Sequence, residues 1–304
     1  MAQGIIATLP ELIALRRLTN TSQHRTSAAT SLVGSHCLKA RGRGMDFTDV
    51  RNYQSGDEIR HMEWRITART GRPHIKLYEE ERERPVVILV DFNPSMYFGT
   101  RVAFKSFIAA QLASLIAWAA DKQGDRVGGL TFSSTVHHEF VPKGREHGVL
   151  PLLASLAEHT THFARQQHKD RPQALQDALL RLRRITKPGS LIVLISDFYT
   201  MNESAQQHLS RFRSHHDVLA YHICDLLELA PPESGFYPMT NGIKTLGLDT
   251  TNENVVSAYL QTCQTRADTL QAQFNRLAIQ YIQVTTTHDL PLLVHQTFPR
   301  RLHG

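Results

Sequence analysis

The chain has 304 residues, of which 41% are hydrophobic and 20% are charged, and its formal net charge at pH 7 is +6. A globular chain of this length and composition buries a sizeable core, which excludes a small scaffold that depends on disulfide bonds for stability. The modest positive charge permits nucleic-acid or acidic-protein partners but demands neither.

The cellular compartment is indicated by the cysteines and by the absence of targeting patterns. Cys37, Cys224 and Cys263 are widely spaced, odd in number and form no CxxC or Cys/His zinc pattern, which favours a reducing compartment. The N-terminus has no signal-peptide pattern, and no window reaches the roughly 18 uninterrupted apolar residues of a membrane span. We therefore expect a cytoplasmic protein without direct membrane insertion.

Two segments are predicted ahead of the main domain. Residues 1–33 hold one amphipathic stretch, 9–18, followed by a Ser/Thr-rich run, and are predicted to form a helix and a loop. Residues 34–84 are rich in arginine and poor in apolar residues, so a small, mostly β subdomain of short strands and turns is expected. Within it, Trp64 and Ile66 alternate with polar neighbours, which predicts a strand.

Residues 85–304 are predicted to form an α/β domain. The apolar runs Val86–Val90, Leu191–Ile195 and Asp217–Ile223 are typical of strands buried on both faces of a sheet. Segments with helical periodicity lie between them, and a hairpin-like insertion is expected near 226–248. This alternation predicts a mostly parallel sheet with helices on both faces.

Oxygen-bearing side chains follow two of these predicted strands. Asp91, Asn93 and Ser95 come at alternate positions after the first run, and Asp197 follows the second. Ligands of open α/β sheets bind beyond the carboxyl ends of the strands, and oxygen ligands suit Mg²⁺ or Mn²⁺. The sequence therefore predicts a divalent-cation site at this edge. The alternative is that these acids cap turns or helices.

No pattern in the sequence indicates a catalytic centre. Ser95 has no histidine at a recognisable triad spacing, so a metal-dependent hydrolase is a distant alternative to a non-enzymatic protein. The histidine pairs at 137–138, 159 with 162, and 215–216 lack a zinc-site spacing and are interpreted as surface or loop residues.

The cluster after the first strand resembles the metal-ion-dependent adhesion site of von Willebrand factor A domains, whose first loop reads D-x-S-x-S. Asp91 and Ser95 match that loop, Asn93 replaces its middle serine, and Asp197 matches the acid after the fourth strand. The resemblance implies a Rossmann-type α/β fold, and a bound cation whose open coordination position is filled by a partner's carboxylate.

The resemblance is incomplete at the second loop of that family. A threonine is expected there just before the helix near Gln173, but none is present, and Thr160 and Thr161 lie upstream. Arg171 would add a positive charge that competes with a cation. These departures leave open a degenerate site that holds no metal.

A second resemblance covers about residues 34–225. The matching series is Arg41-Gly42-Arg43-Gly44-Met45-Asp46-Phe47, then Arg51-x-Tyr53-x-x-Gly56-Asp57-x-Ile59-Arg60, then Glu63-Trp64-x-x-x-Ala68-Arg69. It is similar to the signature of the bacterial domain-of-unknown-function 58 family, in which it precedes a von Willebrand factor A-like domain. This implies a cytoplasmic adaptor that works with a MoxR-type AAA+ ATPase, its client proteins or other von Willebrand factor A proteins.

The arginines of the signature region are candidate partner-binding residues, above all Arg51, Arg60, Arg65 and Arg69. They offer a metal-independent binding surface, or, with interleaved aromatic residues across 41–76, a nucleic-acid surface, which we regard as the weaker alternative. The competing interpretation is that these arginines form ion pairs with the equally numerous nearby acids and hold together a subdomain that has little core.

Overall fold

The computed structural model describes residues 4–21, 45–54, 56–80, 83–162, 171–240 and 245–299. The chain divides into two compact units. The larger unit comprises residues 1–26 with 85–298, and the smaller comprises residues 27–84 with 299–304.

Helices and strands alternate through most of the described chain. The helices are α1 (Leu9–Ala14), α2 (Leu18–Thr21), α3 (Trp64–Thr70), α4 (Lys105–Lys122), α5 (Glu146–His162), α6 (Ala174–Ile185), α7 (Glu203–Arg213), α8 (Glu253–Arg276) and α9 (Leu290–Thr297). The strands are β1 (Met45–Asn52), β2 (His74–Glu80), β3 (Pro85–Asp91), β4 (Arg126–Phe132), β5 (His137–Lys143), β6 (Leu191–Ser196), β7 (Asp217–Cys224), β8 (Phe236–Thr240), β9 (Thr245–Asp249) and β10 (Gln280–Thr285).

The larger unit is built on a six-stranded sheet in the order β10-β7-β6-β3-β4-β5. Every neighbouring pair in it is parallel except β4 and β5, which are antiparallel. The prediction of an α/β fold with a mostly parallel central sheet is confirmed. The hairpin of β8 and β9 is a separate antiparallel pair that falls where the hairpin-like insertion is predicted.

Helices cover both faces of this sheet because the central strand is apolar at every position. Val86, Ile88 and Val90 of β3 join the core that contains α4, α5 and α9. Val87 and Leu89 join the core that contains α6, α7 and the end of α8. Successive side chains of a strand point to opposite faces, so the continuous apolar run of β3 supplies both cores.

The N-terminal helix is part of the larger unit and not a separate segment. Leu12 of α1 is fully buried in the core with α4. Its carbonyl oxygen accepts a hydrogen bond of 3.1 Å from Nε1 of the buried Trp118. The short amphipathic stretch therefore covers one end of α4 and satisfies the indole donor of that helix.

The smaller unit contains the antiparallel pair β1 and β2, with α3 between them in sequence. The predicted strand at Trp64 and Ile66 is wrong, because these residues lie in α3. The Glu63 carboxylate accepts a hydrogen bond from the Arg65 N–H and caps the helix, and Gly71 ends it in the left-handed conformation at φ 68°. These two end signals outweigh the short alternating pattern.

Candidate functional site

The chain reverses its direction of travel across the sheet next to β3. It passes from β3 to β4 on one side, and later returns to β6 on the other side. The crevice between the carboxyl ends of β3 and β6 is therefore a topological switch point, where ligands of open α/β sheets bind. Asp91 ends β3, Ser196 ends β6 and Asp197 follows it directly, so the two predicted carboxylates share this crevice.

Asp91 is held by neutral hydrogen-bond donors only. Its Oδ1 accepts from the Asn93 backbone N–H at 2.8 Å and from Asn93 Nδ2 at 2.6 Å. Its Oδ2 accepts from Ser196 Oγ at 2.6 Å, and that hydroxyl accepts from the Phe198 N–H at 2.8 Å. Phe198 lies in the left-handed region at φ 52°, an unfavourable conformation for a bulky residue.

Within the part of the chain that the structure describes, the Asp91 carboxylate forms no ion pair with a positively charged side chain. Burial and, after it, the negative charge of Asp197 together raise its pKa to about 7, against the lowering effect of its hydrogen bonds. Tyr97 lies near the same group, and its pKa is raised by burial and by the charge of Asp91. The end of β3 is thus a site of unbalanced negative charge, which a bound cation would neutralise.

Asp197, in contrast, is neutralised by a buried lysine. Lys105 Nζ, on a side chain that is 1% exposed, lies 2.9 Å from Asp197 Oδ2 and 2.7 Å from Glu228 Oε1. Burial opposes the charged form of Lys105, but both carboxylates outweigh it and keep the lysine pKa above its ordinary value. Burial would raise the pKa of Asp197, but the ion pair with Lys105 outweighs it and keeps the Asp197 pKa below its ordinary value.

One hydrogen-bond acceptor in the crevice has no donor among the described residues. Asn93 Oδ1 is buried and has no hydrogen-bond partner among the residues that the structure describes. A buried acceptor without a partner is unfavourable by about 1–3 kcal/mol, so an unfilled one is informative. Ser95 is half-buried, and its side chain lies near enough to Asp197 to help lower the pKa of that carboxyl group. Asp91, Asn93 and Ser95 therefore present oxygen atoms at the end of one strand.

The oxygen donors fit a hard cation better than a soft one. Within the described ranges, no cluster of three or more His, Cys, Asp or Glu side chains has metal-binding geometry. A cation here would depend on the Asp91 carboxylate and the neutral oxygens of Asn93 and Ser95, a set that suits Mg²⁺ or Mn²⁺. The ligand role of these residues and of Asp197 stays a prediction.

The second-loop residues are engaged away from the crevice. Thr160 Oγ1 accepts from the Ala7 N–H at 3.1 Å, and Thr161 Oγ1 donates to the Ala157 carbonyl at 2.9 Å. Arg171 forms an ion pair of 3.0 Å with Asp177 at the start of α6. Neither a substitute threonine hydroxyl nor the Arg171 charge is therefore directed at Asp91.

The interpretation of His159 as a surface or loop residue is wrong. Its ring is buried and stacks on Phe92 with a centroid separation of 4.7 Å. Its Nε2 lies 3.1 Å from Thr131 Oγ1, and its carbonyl accepts from the Tyr97 hydroxyl at 2.9 Å. His159 thus fixes the loop that follows β3.

Sequence reasoning missed Lys105 and Glu228. Lys105 begins α4, a helix whose next residues are almost all apolar and buried. A lysine that starts such a helix requires a buried acid, since this residue is almost never fully buried without a partner. Glu228 also accepts from the Asp225 N–H at 2.9 Å in a capping box, and that spacing was visible in the sequence.

The candidate partner-binding arginines divide into two groups. Arg51 pairs with Asp57 at 2.7 Å and has a structural role. Arg60, Arg65 and Arg69 are exposed and form no ion pair with any described residue. Among the described residues, the pairing of arginines with nearby acids is therefore seen for Arg51 and not for these three.

The fold and the site together define an α/β protein with a mostly parallel central sheet and a charged crevice at its switch point. The family model for "Protein of unknown function DUF58" matches residues 49–269, and the chain belongs to this family. Within the described ranges, no helix has the length and apolar character needed to cross a membrane.

Several relatives and solved structures are similar to this chain. Uncharacterised proteins of Mycobacterium bovis and Mycobacterium tuberculosis are 28% identical over 225 residues, which cover 73% of this chain and 68% of each relative. The conserved hypothetical protein BatB of Bacteroides thetaiotaomicron has a TM-score of 0.42 at 13% identity, covering 70% of this chain and 96% of that one. An aerotolerance-related membrane protein of Bacteroides fragilis has a TM-score of 0.42 at 15% identity, covering 70% and 97%.

Proposed function

We propose that this protein is a non-enzymatic interaction module with a von Willebrand factor A-like domain, in which Mg²⁺ or Mn²⁺ at the end of β3 receives a carboxylate from a partner. The observation that carries the proposal is that, among the described residues, Asn93 Oδ1 has no hydrogen-bond partner and the adjacent Asp91 carboxylate has no ion-pair partner. A hard cation would satisfy both at once.

The roles of the two acids differ in this proposal. Asp91 and Asn93 hold the cation together with Ser95. Asp197 is neutralised by Lys105 and lies beside Ser95, so in this proposal it supports the Ser95 side chain and is not a direct ligand. A partner carboxylate then completes the coordination shell, and partner binding depends on the cation.

The expected partner is a MoxR-type AAA+ ATPase, one of its clients or another von Willebrand factor A protein, in the cytoplasm. This part of the proposal is supported by the family signature at 41–69 and its implied association with such ATPases. An acidic side chain on the partner is the chemical requirement that the crevice imposes.

The test is capture of the MoxR-type ATPase from the same organism on immobilised protein, in Mg²⁺ and in EDTA. We expect retention that EDTA abolishes, and that Asp91→Ala also abolishes because the main anionic ligand is lost. Asp177→Ala, which removes an acid of the Arg171 ion pair outside the crevice, serves as the matched control. Retention of the ATPase by Asp91→Ala, with unchanged EDTA sensitivity, would refute the proposal.

A second candidate function rests on the smaller unit. Arg60, Arg65 and Arg69 are exposed and form no ion pair with a described residue, and Trp64 between them in sequence is 65% exposed. Exposed tryptophan and arginine are the residues that most often dominate protein interfaces. We propose that this arginine face binds an acidic protein surface without any metal.

Charge reversal separates this candidate from the first. The double variant Arg60→Glu/Arg65→Glu is expected to lose partner retention at least about tenfold, since like charges repel across an interface, while EDTA has no effect. Arg276→Glu, an exposed cation at the end of α8, is the control. Unchanged retention by the double variant would exclude the arginine face. Strong binding to a mixed-sequence DNA that falls steeply with salt would instead indicate nucleic acid.

A further inference from the structure

A second concave surface lies next to Asp197, whose carbonyl oxygen contacts one of its lining residues, Arg266. It is a groove of about 590 Å³ between the loop after β6 and one face of α8. Small-ligand sites span about 300–1,000 Å³, so the groove fits a short stretch of chain and not a folded domain. The proposed cation site does not use it.

Arg266 supplies the charge of this groove. Its guanidinium donates to the Asp197 carbonyl at 3.2 Å and lies 4.8 Å from the ring centroid of the exposed Tyr199. It forms no ion pair with any described residue, and none of the residues that line the groove is acidic. The groove therefore carries one positive charge without an anion to balance it.

The remaining lining residues provide hydrogen-bond acceptors and apolar surface. Gln273 Oε1 is buried and lacks a partner among the described residues. Thr262 and Thr269 donate their hydroxyl hydrogens to carbonyl oxygens of α8, which leaves the hydroxyl oxygens as acceptors. The exposed Tyr199 ring and the half-buried Met201 add apolar contact area. Acceptors along one wall match the N–H donors of an extended peptide.

We propose that this groove binds a short acidic peptide segment of a partner protein. Its carboxylate pairs with Arg266, its backbone N–H groups donate to Gln273 and the threonine oxygens, and an apolar side chain packs on Tyr199 and Met201. The Arg266 guanidinium donates to the Asp197 carbonyl, and the Tyr199 backbone N–H donates to the Asp197 carboxylate. The occupied groove therefore adjoins the proposed cation site without sharing its ligands.

The test is fluorescence anisotropy with a fluorescein-labelled peptide of alternating leucine and aspartate, in EDTA so that the proposed cation site cannot contribute. We expect saturable binding that weakens about tenfold or more in Arg266→Met, because the charge-assisted pair is lost. Arg276→Met, on the same helix, should bind as the unaltered protein does. A matched peptide of leucine and asparagine should bind about tenfold more weakly.

A second variant blocks the groove while keeping the contact between Arg266 and the loop after β6. Thr262 is exposed on α8, so Thr262→Trp fills the groove from the helix side and is expected to abolish binding with Arg266 in place. The proposal is overturned if Arg266→Met binds as tightly as the unaltered protein, if both peptides bind equally, or if no saturable binding occurs. Because every peptide measurement contains EDTA, a lack of peptide binding does not refute the cation-dependent function. A lack of cation-dependent partner capture, in turn, does not refute peptide binding in the groove.

Discussion

Replacement of Lys105 by methionine is expected to lower the free energy of unfolding by about 3–5 kcal/mol, the range for breaking a buried ion pair from one side. The ammonium group lies within 2.9 Å of Asp197 and 2.7 Å of Glu228, on a side chain that is 1% exposed. Methionine keeps the volume of the stem but leaves Asp197 as an uncompensated buried charge.

Urea denaturation at pH 7 measures this effect. The double variant Lys105→Met/Asp197→Asn should recover part of the loss, since the unpaired charge is removed together with its partner. Lys187→Met, on an exposed turn, should change the stability by less than about 0.5 kcal/mol. A loss below about 1 kcal/mol in Lys105→Met would contradict the assignment of this lysine as the counter-charge of the crevice.

Replacement of Asp91 by asparagine is expected to stabilise the protein by about 2–4 kcal/mol at pH 8 in the presence of a chelator. Burial raises the pKa of Asp91 from 3.8 to about 7, and each pKa unit corresponds to about 1.4 kcal/mol. Asparagine is never ionised, its oxygen can accept from Asn93, and its amide can donate to Ser196, so it keeps the hydrogen bonds without the buried charge.

The pH dependence distinguishes this cause from a general packing gain. Between about pH 4 and pH 7 the folded protein keeps a proton on Asp91 that the unfolded chain releases, so its stability falls as the pH rises. The advantage of Asp91→Asn should therefore be small near pH 4.5 and grow until about pH 8. Denaturant titrations across this range measure it, and an advantage that is constant with pH, or a net loss at pH 8, would contradict the account.

The strands that position the crevice could be predicted because their signal is local. The runs Val86–Val90 and Leu191–Ile195 are apolar at every position, which is typical of strands buried on both faces of a parallel sheet. The meeting of both acids in one crevice follows from the strand order, in which β6 lies next to β3. Sequence order alone does not fix which strands are neighbours.

Lys105, the positive charge that compensates Asp197, could not be predicted from a local sequence pattern. Lys105 and Asp197 are separated by 92 residues, and only the folded sheet brings them together. The strand prediction at Trp64 failed for a different reason. The short alternating pattern around Trp64 competes with a capping acid that begins a helix and a left-handed glycine that ends it. Local patterns predict elements well where one signal dominates and poorly where two local signals disagree.

If the end of β3 holds a divalent cation, isothermal titration of Mg²⁺ and Mn²⁺ into chelator-stripped protein will detect it. We expect saturable binding that is lost in Asp91→Ala and retained in Asp177→Ala. Absence of saturable binding by the unaltered protein, or equal binding by Asp91→Ala, would contradict it and direct attention to the arginine face of Arg60, Arg65 and Arg69.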